Sequence, residues 1–183
     1  RVGLGEDGTD TVLRRSFSAL CLAAVVARDN TVHTLHPTTV LTWADRSVAW
    51  FLAERDLRGW VPERGLANAV GNGADLLATL TASRHLGAEE LRVLLDVVVE
   101  RLLKPTEHRL TAGEDDRLAF ATMSLLHRDS ISVDVFSRSF VLRVEASRTD
   151  YLVEIVRQPG LVLREFGEAS REAHAGCGTT SSP

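Results

Sequence analysis

At 183 residues, with 44% hydrophobic and 25% charged side chains, the chain has the size and composition of one soluble globular domain with a sizeable core. A formal net charge of −4 argues against nucleic acid and anionic membranes as partners, since both call for clustered basic surface. No apolar run approaches the length of a membrane span.

Residues 1–9 are polar and Gly-rich and read as a flexible lead-in. Asp10 or Thr11 then caps a first helix to about Arg28, with Leu13, Phe17, Leu20, Ala24 and Val25 on one face. Asp29-Asn30 is its expected end. His36-Pro37-Thr38-Thr39 starts a second helix that runs to about Glu54 on Val40, Trp43, Ala44, Val48 and Phe51. A third is expected from about Arg64 to Ser83, with Leu66, Val70, Leu77 and Leu80 as its main apolar face. Gly87 precedes a fourth, from about Ala88 to Leu103, stopped by Lys104-Pro105. A fifth follows Gly113, with Glu114, Asp115 and Asp116 in its first turn, where the helix dipole favours negative charge. A sixth and a seventh are expected at about 131–147 and 149–157, although the alternation from Ile131 to Phe136 also suits a strand. Periodicity is lost from Gly167, so 10–166 reads as a single helical domain and 167–183 as a flexible tail.

The expected fold is all-α: about seven helices stacked in antiparallel pairs, in the manner of HEAT or armadillo arrays. Helix starts near 37, 64, 88 and 113 give a spacing of about 25 residues, or about 50 per pair. A closed bundle is the alternative. The third helix is the odd one. From Gly65 to Ser83 its only charged side chain is Asp75, whereas a surface helix carries Lys and Glu outward. Both of its faces are therefore expected to be covered, or one lines a cavity. Gly71 and Gly73 each cost about 1 kcal/mol against Ala in a helix, which calls for a packing or access reason.

Five blocks occur in order: Arg14-Arg15-Ser16-Phe17-Ser18-Ala19-Leu20; Arg28-Asp29-Asn30; Glu54-Arg55-Asp56-Leu57-Arg58-Gly59-Trp60-Val61; Gly65 through Asp75; and Glu114-Asp115-Asp116-Arg117-Leu118-Ala119. Over about residues 3–128 this pattern resembles the bacterial domain-of-unknown-function family 2785. The resemblance implies an all-helical, repeat-like fold and no assigned activity. Members of that family carry two histidines where this chain has Asn68 and Asn72. They also usually have a preceding helical repeat, so the chain reads as a shortened member or a fragment, which its start at Arg1 rather than Met also suggests.

Asn68, Asn72 and Asp75 fall at i, i+4 and i+7 and are expected on one side of the third helix. They read either as an ordinary outward face or as a polar patch in a groove. Asp56, Asp75 and Asp115 are the candidate catalytic carboxylates, since burial or a like charge can raise an acid toward neutrality. Asn68, Asn72, Arg58, Trp60 and Asp116 are the candidate ligand-binding groups. The alternative for the charged clusters is structural, with Arg58 and Arg117 neutralising nearby carboxylates. Trp43, Trp50 and Trp60 are expected in the core or a groove wall. His33 and His36 lack a third ligand in register, and no metal or other cofactor is expected. Cys21 reads as a small buried hydrophobe and Cys177 lies in the tail, a pattern that fits a reducing cytoplasm better than a disulfide framework. Two function classes remain. One is a metal-independent site for a small organic ligand, with carboxylate acid–base catalysis as its enzymatic form. The other is a protein-interaction scaffold.

Overall fold

The structure, a computed structural model, describes residues 3–106 and 108–128. Among these residues the chain forms five helices and one small antiparallel hairpin. The helices expected at 131–147 and 149–157, and the tail from 167, lie outside the described residues.

Helix α1 spans Thr11–Val32 and continues past the expected stop at Asp29-Asn30. The Asp29 side chain does not compete with the helix backbone. It is buried, and its Oδ1 accepts the Leu35 amide at 2.6 Å, beyond the helix end. His33 closes α1 in the left-handed region at φ 58°. The buried face is also not the expected one. Val12, Ser16, Ala19, Ala23 and Val26 point inward, while Phe17 is 49% and Leu20 40% exposed, and Ala24 and Val25 face outward with them. Cys21 is likewise exposed rather than buried. Close approach to a neighbouring helix selects the small side chains, which leaves the bulky ones outside.

Helix α2, Pro37–Ala53, follows expectation. Pro37 occupies the first turn, His36 Nδ1 accepts the Thr38 amide, and Val40, Ala44, Ser47 and Phe51 are buried. Strands β1 (Trp60–Val61) and β2 (Gly65–Leu66) then pair Trp60 with Leu66 and Val61 with Gly65. Helix α3 therefore begins at Ala69, not Arg64, and ends at Thr81. Glu63, Gly65 and Asn68 all take positive φ, which no helix accommodates. Leu66 sits half-exposed on β2 and is not part of the α3 core face.

Along α3 every side chain is buried except Asp75 and Thr79, which are half-exposed. Its uncharged composition is thus explained: α1 and α5 flank it and α2 and α4 lie against it. Helix α4, Ala88–Leu103, buries Leu91, Leu94, Leu95 and Val98, and Glu90 accepts the Gly87 amide at 2.8 Å. Helix α5, Glu114–Leu126, buries Leu118, Ala121 and Leu125.

Contacts fix the directions. Ser16 meets Asn72 and Asn30 meets Thr79, so α1 and α3 run parallel; Arg117 meets Asn72 and Arg128 meets Thr81, so α5 runs with them. Arg101 and Lys104 reach the carbonyls of Glu54 and Leu52, which places the C-terminal ends of α2 and α4 together. The main core centres on Leu76, Leu77 and Leu80 of α3, each worth about 1.5–3 kcal/mol by burial. A satellite of Val12, Val61, Ala67 and Ala69 underlies the hairpin. The described part of the lead-in is tied down: Arg15 donates to Gly3 O, Gly8 N to Asp56 and Arg58 to Thr9 O.

Candidate functional site

The sequence blocks Glu54–Val61 and Gly65–Asp75 gather at one end of the molecule. There the N-terminal ends of α1, α3 and α5 meet the C-terminal ends of α2 and α4. Glu54 is fully buried just past α2. Its carboxylate accepts Arg15 Nε at 2.6 Å and Nη2 at 2.8 Å, together with Trp50 Nε1 and the amides of Arg55 and Asp56. The Glu54 bond and charge hold the Arg15 pKa above its ordinary value against the opposing effect of burial.

Asp56 is fully buried two residues on. It receives Arg58 Nε at 2.8 Å, Arg58 Nη2 at 2.7 Å, the Arg58 amide and the Gly8 amide. Burial alone would push this carboxyl up. The Arg58 bonds and charge, with the Gly8 amide, outweigh it and leave the pKa below the usual carboxylate value. Asp56 is therefore an ionised anchor for the loop and the lead-in.

Asn68 and Asn72 do not share an open helix face. Asn68 is the N-cap of α3: its Oδ1 accepts the Gly71 amide at 2.8 Å and its Nδ2 donates to Ala112 O at 2.9 Å. Asn72 donates to Ser16 Oγ at 2.8 Å and accepts Arg117 Nη1 at 2.9 Å, while Ser16 donates to Ala67 O. Both amides are buried. Arg117 also lies 3.4 Å from Asp75, and the two side chains are about one-third exposed. The chain thus runs Ser16–Asn72–Arg117–Asp75 across α1, α3 and α5. Asp115 and Asp116 stand exposed in the first turn of α5, apart from this chain. Trp60 is 65% exposed on β1 and belongs to neither core nor groove wall, whereas Trp43 and Trp50 pack at the core margin. The three candidate catalytic carboxylates thus stand in different surroundings: Asp56 pairs with Arg58, Asp75 with Arg117, and Asp115 is exposed.

Among the described residues, three cavities border this network. One, of about 370 Å³, lies between α1 and α2. These helices are tied at their ends by Arg15–Glu54 and by Asp29–Leu35, and between the ties their backbones do not approach closely. Ser18, Ala19 and Ser47 are too small to fill the gap. Leu76 of α3 forms the floor, Leu22, Trp50 and Leu4 the apolar walls, and Arg14 and Arg46 stand exposed at the rim. Of these residues the sequence suggested only Trp50 as a groove wall, and none as a ligand-binding group. The signal was there in Ser47, a small polar side chain at an inward position between Ala44 and Phe51. A more open hollow of about 770 Å³ lies by Glu6, Arg55 and Lys104, and a groove of about 460 Å³ over Asp75, Thr79 and Phe120. Among the described residues no three His, Cys, Asp or Glu side chains cluster with metal-site geometry.

A mainly helical domain with Arg15, Glu54 and Asp56 buried at one end, and a cleft beside them, is the class of protein these features define. The family described as "Protein of unknown function (DUF2785)" matches residues 1–157, and the chain belongs to it. The match extends past Arg128, beyond the described residues. No curated protein and no solved structure matches the chain.

Proposed function

We propose that this domain binds a small organic molecule, without a metal, in the cleft between α1 and α2. The observation that carries the reading is the parting of two successive helices around Ser18, Ala19 and Ser47 over an apolar floor. Protein interiors are close-packed, and a gap kept open by small side chains forfeits contacts that larger ones would supply. At about 370 Å³ the space falls within the range of small-molecule sites. Acid–base catalysis gains no support from the geometry, because Asp56 is locked to Arg58, Asp75 pairs with Arg117, and Asp115 stands in the open. The order of the helices, with α1, α3 and α5 side by side and α2 and α4 running against them, supports a helical-repeat stack of the HEAT or armadillo kind. No described helix is long and apolar enough to cross a membrane.

Native mass spectrometry and thermal-shift screening of the full chain test the reading. The expected result is a bound compound, or a stabilising ligand, whose effect disappears in Ser18→Trp while the far-ultraviolet spectrum is kept. Ligands that stabilise Ser18→Trp as well as the parent protein would place the site elsewhere. The scaffold reading rests on a different observation, the outward apolar ridge of Phe17, Leu20 and Val25 on α1. Phe17→Glu separates the two, since it is expected to leave ligand binding in the cleft intact.

A further inference from the structure

We infer that the ligand of the α1–α2 cleft is an amphipathic organic anion, with one carboxylate-like head and an apolar body; this rests on the cleft being the binding site. Three arginines line the cleft, but they are not equivalent. Arg15 is committed: Nε and Nη2 to Glu54, and Nη1 to Gly3 O and Thr11. Arg14 and Arg46 come from opposite walls, are exposed, and have no ion pair among the described residues. No carboxylate lines the cleft to neutralise them. The contrast with the larger hollow is direct, because Glu6 there faces Arg55 and Lys104, and the Lys104 ammonium already donates to Leu52 O.

Behind this rim the chemistry changes within one side chain's length. Leu22 and Trp50 form the walls and Leu76, itself 1% exposed, the floor. A cationic rim over an apolar floor selects a molecule with the same division. A guanidinium presents paired N–H donors that match the two oxygens of a carboxylate, and the same fork accepts a sulfonate or a phosphate monoester. The chain carries a net charge of −4, so anion binding depends on these local cations and not on the overall field.

Calorimetric titration of the full chain with octanoate, hexanoate, 1-octanol and octylammonium tests the inference. Octanoate should bind about tenfold tighter than 1-octanol, from two partly solvated ion pairs. Hexanoate should bind about 15-fold more weakly than octanoate, since each buried methylene is worth about fourfold. Added sodium chloride should weaken octanoate and not 1-octanol. The double variant Arg14→Ala with Arg46→Ala, both exposed positions, should bring octanoate to the level of 1-octanol and remove the salt dependence of octanoate binding. Equal binding of octanoate and 1-octanol, or a preference for octylammonium, would overturn the anion inference and leave the cleft reading standing. Absence of any binding that Ser18→Trp abolishes would overturn both.

Discussion

Asp56 shows what a buried carboxylate does here. Its two oxygens are filled by Arg58 and the Gly8 amide, and its pKa is held below the usual value despite burial. A carboxyl of unfolded pKa about 3.9 that is lower in the native state contributes stability that is fully present above about pH 5. That contribution is lost as the pH falls through the native value. Asp56→Asn should therefore lower stability at neutral pH and flatten the acid limb of a plot of urea midpoint against pH from 2 to 7. An unchanged acid limb would assign acid sensitivity to other groups, among them Asp29, whose pKa is lowered first by the Leu35 amide and then by the Thr34 amide, His85 and Arg84, against the opposing effect of burial. At the same scale Asn72 joins α1 to α5 through Ser16 and Arg117, a task for a side chain that both donates and accepts.

At the scale of elements, the two glycines of α3 have separate packing reasons. A Cβ on Gly71 would stand 2.9 Å from Arg117 Cδ and 2.5 Å from the Asn68 cap oxygen. A Cβ on Gly73 would run into the Phe51 ring and lie 3.3 Å from Trp50 Cζ3. Phe51 cannot retreat, because it is 1% exposed and Arg101 lies 4.9 Å over its ring. Gly73→Ala should thus lose about 1–3 kcal/mol by overpacking, more than the roughly 1 kcal/mol gained in helix propensity. Urea unfolding measures the difference, and a net gain in stability would mean that α2 and α3 can part. The hairpin before α3 has the reverse character. Its Trp60 is mostly exposed and its Glu63 takes φ 61°, so only Val61 of its strands enters a core, the satellite cluster with Val12, Ala67 and Ala69.

For the molecule as a whole, Glu54 ties together three of the five described helices. It meets α1 through Arg15, α2 through Trp50, the following loop through two amides, and α4 through the bond from Arg101 to its carbonyl. Arg101 is buried with Nε and Nη2 unpartnered, and burial lowers its pKa against the raising effect of Glu54. Breaking one side of a buried pair leaves the other charge uncompensated. Glu54→Gln should accordingly cost about 3–5 kcal/mol, read as a fall in urea midpoint, whereas Asp115→Asn at an exposed site should change it little. Comparable losses in the two variants would contradict a network closed around Glu54.

Helix α2, helix α4 and the start of α5 were legible in the chain because their signals are local. Pro37 after His36, Gly87 with Glu90, and Gly113 before three acids each act within one helical turn. The lack of charge along α3 correctly implied a covered helix, since an uncharged outer face is costly only in water. What the sequence could not decide was which of two apolar faces of α1 turns inward. Leu13, Phe17, Leu20 and Ala24 form the more hydrophobic stripe, yet the helix buries Ser16, Ala19 and Ala23, because the separation from α3 is set by the smallest side chains at the contact. Arg58, two residues from Asp56, was a legible partner, but the sequence could not show that Asn68 and Asn72 would be used up internally, since Ala112, Ser16 and Arg117 stand 44, 56 and 45 residues from them. The cleft between α1 and α2 has the same origin: it depends on α1 packing closely on α3 while α2 stands off from α1, which only the tertiary arrangement decides.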